Sequence, residues 1–124
     1  MRRKILLIDD SDSLRKQVKE LLLTNEFDII EAEHGQAALD QLANCDSLDL
    51  ILCDVNMPVM DGITFLKRYQ EDTNLPRATI FMLTTESNRE MKDQCKTLGV
   101  RAWVTKPYNP DKLLFAINKV LEAA

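Results

Sequence analysis

Five short apolar runs, each followed by a stretch of helical periodicity, constrain this chain more than any other feature. The runs are KILLI (4–8), DIIEA (28–32), DLILC (49–53), TIFML (79–83) and AWVT (102–105). Three are apolar almost throughout, as parallel strands covered on both faces must be. Leu14, Val18, Leu21 and Leu22 recur on one helical face after the first run, and Leu113, Ile117, Val120 and Leu121 do so after the last. Met91, Cys95 and Leu98 form a narrower stripe that stops at Gly99. GQAALDQLA (35–43) and GITFLKRYQ (62–70) complete the helical set. Strand and helix in alternation predict an α/β domain with a parallel sheet and right-handed crossovers. A closed barrel would take eight such units, so five predict an open sheet. At 124 residues the chain is one domain, 1–124, long enough to bury a core.

Charge and leader signals narrow the function. Sixteen basic and twenty acidic residues give a net charge of −4, which disfavours a nucleic-acid surface. The opening MRRK is followed by only ILLI before Asp9 and Asp10, far short of a secretory apolar core of about 7–15 residues. No run approaches the roughly 20 apolar residues of a membrane span. Cys45, Cys53 and Cys95 are odd in number and lack metal-ligand spacing; they are expected to be reduced, in a cytoplasmic protein.

In open α/β sheets, ligands bind beyond the carboxyl ends of the strands. The first run ends in Asp9 and Asp10, the third in Asp54, the fourth in Thr84, Thr85 and Glu86, and the fifth in Lys106 and Pro107. Two charges about 4 Å apart interact by roughly 4 kcal/mol at an effective dielectric near 20. Three clustered carboxylates would cost on the order of 10 kcal/mol, comparable to the stability of a whole domain. Either a proton is shared among them or a cation sits there, and an all-oxygen set suits a hard ion such as Mg²⁺. Carboxylates, a hydroxyl and a lysine together make a phosphoryl-transfer set, with a carboxylate able to attack phosphorus.

The motifs IDDS (8–11), CDVNMPVMDG (53–62), MLTTE (82–86) and VTKPY (104–108), in this order on successive strand ends, resemble those of response-regulator receiver domains, in particular stand-alone receivers of the chemotaxis type. The resemblance covers nearly the whole chain. It implies a doubly wound, flavodoxin-like five-stranded sheet of order 2-1-3-4-5 with five helices. It implies that Asp54 is the phosphoacceptor, Asp10 a direct Mg²⁺ ligand, Asp9 an acid acting largely through water, and Asn56 the donor of a backbone carbonyl to the metal. Thr84 matches the switch hydroxyl and Lys106 the lysine on the phosphate. Trp103 stands where the family carries Tyr, Phe or His as a switch aromatic, and Thr85 where it favours a small residue. Asn56 and Glu86 occupy positions that set how fast the acyl phosphate is lost, with residue types found in fast-decaying chemotaxis receivers. Implied partners are a sensor histidine kinase as phosphohistidine donor, an output protein such as a flagellar motor switch component, and a phosphatase. The output face would be the fourth helix, fifth strand and fifth helix of a monomer, with dimerisation on phosphorylation open. No direct nucleic-acid or membrane contact is implied.

Three rival readings stand beside this one. The chain could be the receiver of a longer regulator with a DNA-binding or enzymatic output, although it ends in LEAA without an effector. It could be a Mg²⁺-dependent aspartyl-phosphate phosphatase, but such enzymes need a second acid where Asn56 stands. A flavin binder needs a Gly/Ser-rich phosphate loop where DDSDS lies. Among individual residues, His34 reads as a surface loop and Asp61 as a helix N-cap. Leu114 and Phe115 fall off the apolar stripe of the last helix, leaving wide burial and a docking surface equally open. Lys106–Pro107 is expected to be cis, because the lysine must enter the site while the chain turns at once.

Overall fold

Each apolar run is a strand and each periodic stretch a helix in the computed structural model, which describes residues 2–122. In chain order the elements are β1 (Lys4–Ile8), α1 (Asp12–Thr24), β2 (Asp28–Ala32), α2 (Gly35–Ala43), β3 (Leu50–Cys53), α3 (Gly62–Glu71), β4 (Thr79–Thr84), α4 (Arg89–Thr97), β5 (Val100–Thr105) and α5 (Pro110–Glu122). All pairings are parallel, in the order β2-β1-β3-β4-β5.

Side chains alternate across a strand, so the apolar runs split into two cores. Leu6, Ile8, Ile51, Cys53, Ile80 and Met82 face α2, α3 and Cys95 of α4. Ile5, Leu7, Leu50, Leu52, Phe81 and Leu83 face α1 and α5 through Val18, Leu22, Leu113, Ile117 and Leu121. Burying each such side chain contributes about 1.5–3 kcal/mol. Cys53 and Cys95 are buried and Cys45 half-buried, all as free thiols.

The edge strand β5 begins at Val100, two residues before the expected start. Exposed Arg101 interrupts the apolar run, and a register shift against Ile80 and Phe81 absorbs the irregularity. At the last helix, Leu114 packs partly against the second core, whereas Phe115 is exposed with Lys119 Nζ 5.8 Å from its ring centroid.

Side-chain caps start the helices. Ser11, Asp61 and Asn88 each accept from the backbone N–H three residues on, starting α1, α3 and α4. His34 departs from the surface-loop reading: it is half-buried, and its Nδ1 accepts from Ala37 N at 3.1 Å as the cap of α2. The turn after α4 carries Gly99 at φ +90, a conformation that costs a side-chain-bearing residue more than glycine. Lys106–Pro107 is cis, as expected.

The turn between β3 and α3 is under local strain. Met60 N donates to Pro58 O at 2.7 Å, an i→i+2 bond that places Val59 at φ 66. Val59 is 81% exposed, so the fold gains little from its side chain in return. Flanking contacts hold the strain in place: Gly62 N donates to Val55 O at 2.8 Å and Gly35 N to Met60 O at 3.0 Å. Left-handed backbone costs an L-residue roughly 1–2 kcal/mol, least for Asn and Gly. Val59→Asn is therefore expected to stabilise the protein by about 1 kcal/mol, read as a raised urea midpoint at unchanged m-value. An unchanged or lowered midpoint would show that the side chain contributes to the fold after all.

Candidate phosphoryl-transfer site

Parallel register delivers the predicted residues to one edge. Ile8 pairs with Cys53, so Asp9 and Asp54, the next residues, emerge side by side. Asp54 N donates to Ile8 O at 3.0 Å and Asp9 N to Ala32 O at 3.1 Å, carrying the sheet one residue past its strands. Thr84 closes β4, and Lys106 N donates to its carbonyl at 2.8 Å, which sets the lysine beside it. Gly62 completes the enclosure, since a Cβ there would fall 2.2 Å from Asp54 O. Only glycine lets the start of α3 approach the acceptor strand so closely.

One carboxylate oxygen each from Asp9, Asp10 and Asp54 lies within 4.8 Å of the other two. Asp9 is 2% exposed and Asp54 8%, Asp10 is exposed, and Thr84 is 0% exposed. Lys106 Nζ bridges two of them, 2.7 Å from Asp9 Oδ2 and 3.3 Å from Asp54 Oδ2. Ser11 N occupies the other Asp9 oxygen at 2.9 Å. Both oxygens of Asp9 are therefore engaged by protein donors, which leaves it suited to hold a cation through water. The donor set fits a hard divalent ion, because oxygen is its sole ligand type and one carboxylate faces solvent. Asp9, Asp10 and Asp54 are the side chains that would hold Mg²⁺ there.

Burial pushes the Asp9 carboxyl above its ordinary range. The Lys106 and Ser11 hydrogen bonds oppose that rise, and the Asp54 charge reinforces it. A folded-state value raised above the unfolded one, about 3.9, makes this group stabilising below the unfolded value. That stability is lost as pH rises through the folded value. At neutral pH the metal-free protein thus carries a penalty at Asp9. Asp9→Asn is expected to raise the urea midpoint of the metal-free protein at pH 7, with the gain closing as pH falls below about 4. A gain that persists unchanged in acid would contradict this assignment.

The rim is one hydrogen-bonded chain. Asn56 N reaches Asp54 Oδ1 at 3.4 Å, and Asn56 Nδ2 donates to Glu86 Oε1 at 2.8 Å. Glu86 N donates to Thr84 Oγ1 at 3.3 Å, and Trp103 Nε1 donates to Glu86 O at 2.9 Å. Lys92 Nζ stands 5.8 Å from the centroid of the half-buried Trp103 ring. Thr85 lies exposed between Thr84 and Glu86. Sequence motifs pick out Asn56, Thr84, Thr85, Glu86 and Trp103 but not Lys92, nor the hub role of Glu86, which uses its N–H, its carbonyl and its carboxylate at once. Nor do they pick out Arg15, whose guanidinium donates to Asp9 O from α1.

A parallel α/β sheet thus carries an acidic cluster and a lysine together at its carboxyl edge. The chain belongs to the response regulator receiver domain family, which it matches over residues 5–118. It is 34% identical over 122 residues to the chemotaxis protein CheY of Bacillus subtilis, covering 98% of this chain and 99% of that protein. The solved chemotaxis response regulator CheY4 of Vibrio cholerae superposes with a TM-score of 0.86 at 37% identity, covering 97% and 99% of the two chains. A CheX–CheY–BeF₃–Mg complex from Borrelia burgdorferi contains a chain that superposes with a TM-score of 0.87 at 28% identity, over 95% of this chain and 88% of that one. The protein is thus a receiver of two-component signalling, and its relatives are signalling proteins of chemotaxis.

Proposed function

We propose that Asp54 accepts a phosphoryl group from the phosphohistidine of a sensor kinase in a Mg²⁺-dependent reaction, and that this event alters the α4–β5–α5 face for a partner. The observation that carries this reading is the convergence of Asp54 with Asp9, Asp10 and Lys106 at one sheet edge. An Asp54 carboxylate oxygen attacks phosphorus, the P–N bond to the donor imidazole breaks, and the imidazole leaves with a proton in place of the phosphoryl group. Lys106 neutralises charge on the phosphoryl oxygens, and Thr84 turns its hydroxyl toward them. Asp10, Asp54, the Asn56 carbonyl and, through water, Asp9 would hold Mg²⁺, which would supply Lewis-acid stabilisation of the transferring group.

Resemblance to chemotaxis proteins over essentially their full length favours a flagellar motor switch component as the output partner, a dedicated phosphatase and a cytoplasmic site of action. Among the described residues no helix is long and apolar enough to cross a membrane. The phosphatase reading is disfavoured, because Asn56 holds the second-acid position and spends its side chain on Glu86. Uptake of phosphate from acetyl phosphate with Mg²⁺, and its loss in EDTA, tests the reaction itself.

Trp103 reports the switch. When Thr84 turns toward the phosphoryl group, its oxygen leaves Glu86 N, and the loop that Trp103 tethers is released at one end. This is a two-state element biased by one charge event. Beryllofluoride with Mg²⁺ is expected to change Trp103 emission, and Thr84→Ala to remove most of the change, with Mg²⁺ alone as the control. Binding without any change in Trp103 emission or anisotropy would mean that output bypasses the ring.

A further inference from the structure

We infer that Arg15 is a positioning residue of the metal centre: it fixes the turn carrying Asp9 and Asp10. This rests on the reading of the acidic cluster as a Mg²⁺ site. Arg15 projects from the first turn of α1 with its side chain 15% exposed. One Nη donates to the carbonyl oxygen of Asp9 and the other to Asp12 Oδ1. Nε lies 3.4 Å from Glu31 Oε1 but makes no hydrogen bond, a buried donor left unsatisfied. Such a group costs stability, so its retention asks for a benefit elsewhere. Glu31 is anchored in turn, its carboxyl held below the ordinary range chiefly by the Lys19 hydrogen bond and further by Arg15.

The consequence is local. Asp9 has its N–H, its carbonyl and both carboxylate oxygens each tied to a different partner: Ala32, Arg15, Ser11 and Lys106. The peptide leading to Asp10 therefore has a fixed plane, which sets where the Asp10 side chain starts. Mg²⁺ demands near-ideal octahedral geometry, whereas Ca²⁺ accepts more oxygens in flexible arrangements. A rigid site favours the smaller ion, and a loosened one the larger.

Calorimetric titration of the purified chain with Mg²⁺ and separately with Ca²⁺ tests this. Arg15→Gln is expected to weaken Mg²⁺ binding about tenfold, the range for partners that orient metal ligands, while Ca²⁺ binding falls much less or rises. Arg15→Lys, keeping the charge with fewer donors, should lie between. Urea unfolding of each metal-free variant records stability separately. Equal losses for both ions, or no loss, would overturn the proposal even if stability falls, because a merely structural role leaves the ratio unchanged. Wild type that binds no Mg²⁺, or Asp10→Asn that binds it undiminished, would refute the parent reading, and this inference with it.

Discussion

Asp54→Asn is expected to abolish phosphate uptake from acetyl phosphate or a phosphorylated kinase, a loss of at least about 10³-fold, equivalent to roughly 4 kcal/mol of barrier. The substitution is nearly isosteric, so the hydrogen bonds of residue 54 to Ile8 through its N–H and from Asn56 N at its side chain can persist. What disappears is the anionic oxygen that attacks phosphorus, and an amide oxygen is a poor replacement. One anionic ligand is lost as well, so Mg²⁺ affinity should fall. The fold should survive, because a carboxylate 8% exposed and flanked by two others is removed rather than added. Labelling of this variant at full stoichiometry would place the acceptor elsewhere.

Lys106→Ala should move two readouts in opposite directions. Its ammonium sits between Asp9 and Asp54 and occupies one oxygen of each within the cluster a metal would share. Without it, Mg²⁺ affinity should rise severalfold, because the carboxylate cluster then lacks its resident cation. Phosphotransfer should nonetheless slow by about 10²–10³, the usual cost of removing one preorganised charge stabiliser. The metal-free protein should also lose stability, since Asp9 is left buried with Ser11 N as its remaining side-chain partner. Parallel losses of metal binding and transfer would show that the lysine acts by holding the fold, not by touching the phosphoryl group.

The elements that were legible in the sequence are those whose physics is local or periodic. Fully buried central strands read as unbroken apolar runs, and parallel pairing then forces their ends into line, so Asp9, Asp54, Thr84 and Lys106 could be placed together before any coordinates. The edge strand was legible only in part, because Arg101 faces solvent and breaks the run. Other features depend on partners distant in sequence. His34 is the local exception: it caps α2 through Ala37, three residues on, because the chain turns there. Glu86 became a hub because Asn56, thirty positions earlier, and Trp103, seventeen later, meet at it. Arg15 lies off the apolar stripe of α1, yet its guanidinium donates to a strand-end carbonyl and stands 3.4 Å from Glu31 of β2. The strain at Val59 arises from how α2 and α3 clamp the turn, and composition gives no sign of it.

The central claim is that phosphate resides on Asp54 as an acyl phosphate formed with Mg²⁺. Borohydride reduces a carboxylic–phosphoric anhydride to the alcohol and so converts a phosphorylated aspartate to homoserine. Wild-type protein should be incubated with acetyl phosphate and Mg²⁺, reduced, digested and sequenced by mass spectrometry. The account predicts homoserine at position 54, and none when EDTA replaces Mg²⁺. Homoserine at position 9 or 10, or its appearance at position 54 in EDTA, would contradict it.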